Sequence, residues 1–126
     1  MADPRRLGPR GEAFAARIYE RAGYTIRARN YRAREGELDI VAEKEGCLCV
    51  VEVKTREEGG VTAPGDAVGP AKRRKLVLAA LRYMEETGFQ GSVRFEVFEL
   101  YIRQERPVRY RILDCPMDDL EEIWLP

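Results

Sequence analysis

Glu12, Asp39, Glu52 and Lys54 are three carboxylates and an amine in a chain of 126 residues that contains no histidine. The last three interrupt apolar runs, Gly36-Glu37-Leu38-Asp39-Ile40-Val41 and Val50-Val51-Glu52-Val53-Lys54-Thr55. Burying Asp, Glu or Lys is costly unless each is paired or bound to a cation, so a fold that needed only two core strands gains nothing from them. Convergent carboxylates hold one or two divalent cations by oxygen ligation. A cation so held polarises a phosphate and turns water into hydroxide, and a nearby lysine orients that water or offsets developing charge. The residue types therefore suit phosphodiester hydrolysis. The lack of histidine excludes His-based triads, HExxH zinc sites and imidazole acid–base chemistry.

Such a set works only if secondary structure brings it together. Pro9 to Ala22 has helical spacing, with Phe14, Ala15, Ile18 and Ala22 as the apolar stripe and Gly23 as the C-cap. Glu12 falls between Ala16 and Tyr19 at the edge of that stripe, where it either complements the helix dipole or points inward. Tyr24 to Asn30 alternates as an amphipathic strand, and Asn30 to Gly36 reads as a polar loop. Glu37 to Glu43 and Cys47 to Thr55 form a hairpin around Lys44-Glu45-Gly46. Period two then puts Glu37, Asp39 and Val41 on one face of the first strand, and Val50, Glu52 and Lys54 on one face of the second. The acids can converge.

Residues 56–69 hold four glycines and a proline without a period, and read as a mobile loop beside the Lys54 strand. Pro70 opens a helix that runs to Gly88, with Leu76, Ala80, Tyr83 and Met84 inward. Its first turns carry Lys72, Arg73, Arg74 and Lys75. Cations at the positive end of a helix dipole are disfavoured by roughly 0.3–1 kcal/mol each, which makes sense if an anion docks there. Lys72 lies one turn before Leu76 on the inward stripe. Ser92 to Arg103 and Val108 to Leu113 read as strands, and Met117 to Pro126 as a short helix that packs Leu120, Ile123 and Trp124.

The size, 14.5 kDa with 44% hydrophobic residues, suits one domain over residues 1–126. No run approaches the ~18 apolar residues of a membrane helix, and the N-terminus lacks a signal peptide's apolar region, so a cytoplasmic protein with no membrane partner is expected. Cys47, Cys49 and Cys115 have no zinc spacing and suit buried thiols in a reducing compartment. The formal net charge of zero hides a gradient, for residues 1–34 carry nine arginines against three acids. A basic surface on one side is compatible with that neutrality.

The run Gly36-Glu37-Leu38-Asp39 followed by Val51-Glu52-Val53-Lys54-Thr55-Arg56 resembles the acidic residue and Glu-x-Lys motif of the PD-(D/E)xK nuclease superfamily. Leu38 stands where that motif often has proline, a change a central strand favours because leucine keeps its N–H. Together with Gly11-Glu12-Ala13, Gly23-Tyr24, Arg29-Asn30-Tyr31-Arg32 and the Lys72 helix, the pattern is similar to the YraN family of uncharacterised, endonuclease-like bacterial proteins over about Gly8 to Leu100. That family is in turn similar to archaeal Holliday junction resolvases. The resemblance implies an α/β fold with a restriction-endonuclease-like αβββαβ core, a mixed central sheet flanked by helices. It also implies Mg²⁺ or Mn²⁺ at the acidic cluster and branched or structured DNA as substrate.

Carried onto this chain, Asp39 and Glu52 become metal ligands, Lys54 the catalytic lysine and Glu12 a carboxylate that reaches the metal or its water. Glu37 is an extra acid that could supply a third ligand. Arg32, Arg56, Lys72, Arg73 and Lys75 are the expected phosphate contacts, and a homodimer that spans two strands is compatible with the resolvase likeness. The expected function is metal-dependent endonuclease action in DNA repair or recombination. The alternative is a nucleic-acid-binding or partner-binding module that keeps the fold without catalysis.

Overall fold

A computed structural model describes residues 8–60 and 68–117. Among these described residues two helices and five strands follow in the order α1 (Gly8–Arg21), β1 (Thr25–Arg32), β2 (Glu37–Lys44), β3 (Cys47–Glu57), α2 (Pro70–Thr87), β4 (Ser92–Arg103) and β5 (Arg106–Asp114). The strands form one sheet in sequence order. Only the β3–β4 pair is parallel, because only there does a helix, α2, carry the chain back across the sheet. The fold is thus α/β, a mixed sheet flanked by two helices, consistent with an αβββαβ nuclease-like core plus β5. Among the described residues no helix is long and apolar enough to cross a membrane.

Alternation along the central strands divides the core. Ile40, Ala42, Cys49, Val51, Phe98, Leu100 and Ile102 are buried with Ala15, Ala16 and Tyr19 of α1. The intervening Val41, Leu48 and Val50 are buried with Leu76, Ala79, Ala80 and Tyr83 of α2. The β2–β3 hairpin closes on Lys44 and Cys47, leaving Glu45 and Gly46 at φ 52° and 76°, the left-handed pair whose twist matches that of its strands.

Several boundaries and faces depart from the sequence reading. Ala22 is exposed, and Tyr19, 2% exposed, fills the place on the α1 stripe. β1 continues through Arg32 instead of ending at Asn30, so the expected 30–36 loop shrinks to a turn closed by the Ala33 and Gly36 backbones. β3 extends to Glu57 because β4 pairs with it throughout, and β5 runs from Arg106 to Asp114. Leu38 is buried in the α2-side cluster although strict alternation places it with Ile40. Residues 61–67 of the expected mobile loop and residues 118–126 of the expected C-terminal helix lie outside the described residues.

The departure at Leu38 marks where the sheet opens. The β2–β3 register runs from Lys44↔Cys47 to Ile40↔Val51, whereas β3 stays paired with β4 as far as Glu57↔Ile102. Past Ile40, β2 leaves β3, and the backbone N–H of Val53 donates instead to the Asp39 side chain, at 2.8 Å to Oδ2. A carboxylate takes the place of a backbone carbonyl in the ladder.

Candidate active site

The opening between β2 and β3 is bounded by three elements. Glu52 and Lys54 follow Val50 on the α2-facing side of β3, with Glu52 8% exposed. Asp39 reaches across from β2 to the Val53 N–H. Glu12 comes from α1, whose start approaches the end of β3 closely: a Cβ on Gly11 would lie 2.8 Å from Thr55 Oγ1. Glycine at that position lets the helix carry Glu12 up to the site. Since α1 begins at Gly8 and has no acid in its first turn, the helix dipole does not account for Glu12.

The electrostatics of the three acids agree. Burial, then repulsion by Asp39, pushes the Glu52 carboxyl above its ordinary pKa, against the opposing pull of Lys72 and Lys54. Asp39 is likewise raised by burial, in part offset by the Val53 N–H and Lys72. Glu12 is raised by burial and by Asp39, against a hydrogen bond from the Asn30 side chain and the charge of Arg29. Among the described residues Glu52 Oε2, which is buried, has no hydrogen-bond partner, while Oε1 lies 3.6 Å from Lys72 Nζ. An orphaned carboxylate oxygen beside a second desolvated acid is a site short of positive charge.

Among the described residues no three His, Cys, Asp or Glu side chains form a group that could hold a metal ion. Mg²⁺ does not require three. It keeps several waters and is commonly bound through one or two carboxylates plus substrate phosphate oxygens. The Asp39 and Glu52 pair, all-oxygen and with one lone oxygen unpaired, fits a hard divalent cation. Glu37 stands at the rim: it is near enough to repel Asp39 and Glu12, but its side chain is 42% exposed and 3.9 Å from Arg32 Nε.

The expected phosphate contacts divide. Lys72 and Lys75 are exposed on α2, Lys72 leaning onto Glu52 and Lys75 lying over Gly36. The Arg32 side chain is 83% exposed. Arg73 donates from Nη1 to the Pro116 carbonyl. Arg56 turns inward, its Nε 2.6 Å from Glu99 Oε2. α2 has no side-chain N-cap and no acid in its first turn, so the positive end of its dipole adds to these cations.

Sequence reasoning missed the group beside Lys54. Glu99, 4% exposed, is the register partner of Lys54 across the parallel β3–β4 pair, and Arg56, Arg111 and Tyr101 all hydrogen-bond it. Burial alone pushes the Glu99 carboxyl up, and the bonds from Arg111 and Arg56 more than reverse this, holding it below the usual range. An acid in register with the lysine of a Glu-x-Lys strand was the available signal, but one of its partners, Arg111, comes from β5, whose pairing the sequence does not display. A cleft of about 350 Å³ opens over this network, with Lys54 on its wall. Asn30, at φ 54° in β1, reads from sequence as a strand end and as part of the Arg29-Asn30-Tyr31-Arg32 segment, with no role at the site assigned to it.

Residues 11–100 match the profile of a family described as "Uncharacterised protein family UPF0102". A UPF0102 protein of Chlorobium phaeobacteroides is 37% identical over 114 residues, covering 90% of each chain. One from Myxococcus xanthus is 41% identical over 106 residues, 83% of this chain and 84% of that one. One from Bacteroides fragilis is 45% identical over 97 residues, 77% and 80% respectively. The matched span contains Glu12, Asp39, Glu52 and Lys54, the three acids and one lysine first singled out.

Proposed function

The chain belongs to the uncharacterised protein family UPF0102, and from the chemistry of its buried acids we propose that it is a metal-dependent endodeoxyribonuclease that hydrolyses phosphodiesters in branched or structured DNA during repair or recombination. The observation that carries this reading is the desolvated Asp39 and Glu52 pair, with Glu52 Oε2 unpartnered among the described residues and two lysines within electrostatic reach. A fold that needed the pair only for stability would satisfy that oxygen.

Asp39 and Glu52 would hold Mg²⁺ or Mn²⁺, with Glu12 oriented towards the same space by Asn30. When bound, such an ion supplies Lewis-acid polarisation of the phosphate and a lowered pKa for water. Lys54 projects from the strand that carries Glu52 and orients the attacking water or neutralises charge on the phosphate as it builds. Lys72, 3.6 Å from Glu52 and 44% exposed, is placed where it would pair with a phosphate brought to the acids. Lys75 and the uncapped start of α2 extend that positive edge. A homodimer would present one such centre to each of two strands.

The alternative, a nucleic-acid-binding module without turnover, is favoured by one observation: Lys72 already places a cation at Glu52. Two measurements separate the readings. Mg²⁺ should raise the Tm of the wild type and leave that of Asp39→Asn unchanged, since an ion that binds only the folded state stabilises it. Purified protein with Mg²⁺ or Mn²⁺ should cut flap, splayed-arm or four-way-junction DNA, and Glu52→Gln or Lys54→Ala should abolish cutting. Cleavage that survives both substitutions would refute the assignment, and metal-dependent binding without cleavage selects the module.

A further inference from the structure

The cleft beside Lys54 is built differently from the acidic centre. Its charged lining is Lys54, Arg56, Arg73 and Arg111 against Glu99 and Asp114, so its cations outnumber its acids four to two. Arg56 and Arg111 are held from below by the buried Glu99 carboxylate, which uses its two oxygens on the two guanidinium groups. Arg73 is fixed by the carbonyl of Pro116 on the opposite lip. Between these cations the wall is apolar, with Val97 buried at the base and Leu113 39% exposed on β5.

A simple anion site has no need of apolar walls, and an apolar-ligand site has no need of four cations. A flat, partly apolar anion uses both. Guanidinium planes immobilised by a carboxylate are surfaces on which bases stack, and the same groups hydrogen-bond phosphate. The volume of about 350 Å³ lies at the small end of the ~300–1,000 Å³ of small-ligand sites, which suits one unit of a polymer and not a base-paired stack. Lys54 belongs to both places, and Glu52 sits two residues before it on the same face of β3, a step of roughly 6.6 Å at strand rise. A strand that enters the acidic centre can therefore place its next residue in the cleft.

We infer that this cleft binds one unpaired nucleotide adjacent to the phosphate presented to Asp39 and Glu52, which makes the protein selective for DNA with a single-stranded segment. The inference rests on the nucleic-acid reading of the site but not on cleavage, and its test needs no metal.

The full-length protein in EDTA is titrated against three fluorescent ligands: a single-stranded oligonucleotide, a strand of the same length made entirely of abasic units, and a blunt duplex. Base stacking contributes about 1–3 kcal/mol per base, so the normal strand should bind at least about fivefold tighter than the abasic one. Leu113→Glu, placed at a partly exposed wall of β5 and confirmed as folded by its Tm, should abolish that preference. It should leave the duplex affinity within about twofold, because duplex binding is governed by phosphate charge elsewhere on the surface.

Thymidine monophosphate should displace the strand more effectively than inorganic phosphate. Equal affinity for normal and abasic strands overturns the inference without any variant, as do equal displacement by phosphate and an unchanged preference in Leu113→Glu. A protein that passes these tests yet never cuts DNA refutes the nuclease and leaves the nucleotide site standing.

Discussion

Gly11→Ala is the sharpest probe of how the site is assembled, because a single interatomic distance sets its outcome. The added methyl would stand 2.8 Å from Thr55 Oγ1, with Leu100 Cδ2 at 3.8 Å and Val53 Cγ1 at 4.0 Å. The last two are ordinary contacts. The first is too close to persist, and threonine, branched at Cβ, has little freedom to swing away. Overpacking of this kind costs about 1–3 kcal/mol. Against it, replacing glycine by alanine inside a helix gains about 1 kcal/mol. The single variant should therefore lose up to about 2 kcal/mol, and Thr55→Ala, which removes the offending oxygen, should turn Gly11→Ala from neutral or destabilising into stabilising. The coupling energy across the double-mutant cycle should equal the clash, about 1–3 kcal/mol. Urea unfolding of the four proteins measures it. A Gly11→Ala protein that is more stable than wild type by about 1 kcal/mol, with no coupling to Thr55, would show that α1 does not approach β3 this closely. The placement of Glu12 would fall with it.

Two further outcomes follow from the buried acids. Asp39 and Glu52 have folded-state pKa values above their unfolded ones, so their charges oppose folding fully above the folded pKa. That opposition is relieved as pH falls through the folded pKa towards the unfolded value near 4. In EDTA, Glu52→Gln should accordingly be more stable than wild type at pH 7, and the difference in Tm should shrink as pH falls towards about 4.5. A constant difference would mean that Glu52 folds without desolvation. Glu99 has the opposite sign, a depressed pKa, so its contribution is present above the unfolded value and is lost as pH falls through the folded one. Glu99→Gln leaves Arg56, 14% exposed, without its carboxylate, and should cost about 3 kcal/mol in chemical denaturation; a loss below about 1 kcal/mol would mark the network as dispensable.

The strands and helices were legible because their signals are local. The Glu45-Gly46 turn, the proline at the start of α2 and Gly88 at its end, φ 71°, act over a few residues each. Asp39, Glu52 and Lys54 were legible as charges in apolar runs, and Glu12 as a charge at the edge of an apolar face. What the sequence hid was pairing at long range. Arg56 reads as a surface cation next to the motif, yet it faces Glu99, 43 residues away, and Arg111 completes the same ion network from β5. Leu38 obeys alternation on paper and breaks it in the fold because β2 bends away from β3 at that point. Neither fact is written in any stretch shorter than the sheet itself.

The hairpin that joins β2 to β3 also has a kinetic meaning. It closes over two residues, whereas the β3–β4 pair joins residues some 45 apart, Cys47 with Ser92, and must wait for α2 to cross. Pairings of low sequence separation form first because little chain entropy is lost in closing them. Asp39 and Glu52, carried on the hairpin, should thus meet early in folding, while the Lys54 cleft, walled by β4 and β5, is among the last parts to take shape. Probes of the folding transition state should find the β2–β3 pairing formed before the β3–β4 pairing. The acids would then face one another before α2 brings Lys72 to Glu52, while the protein is only half built.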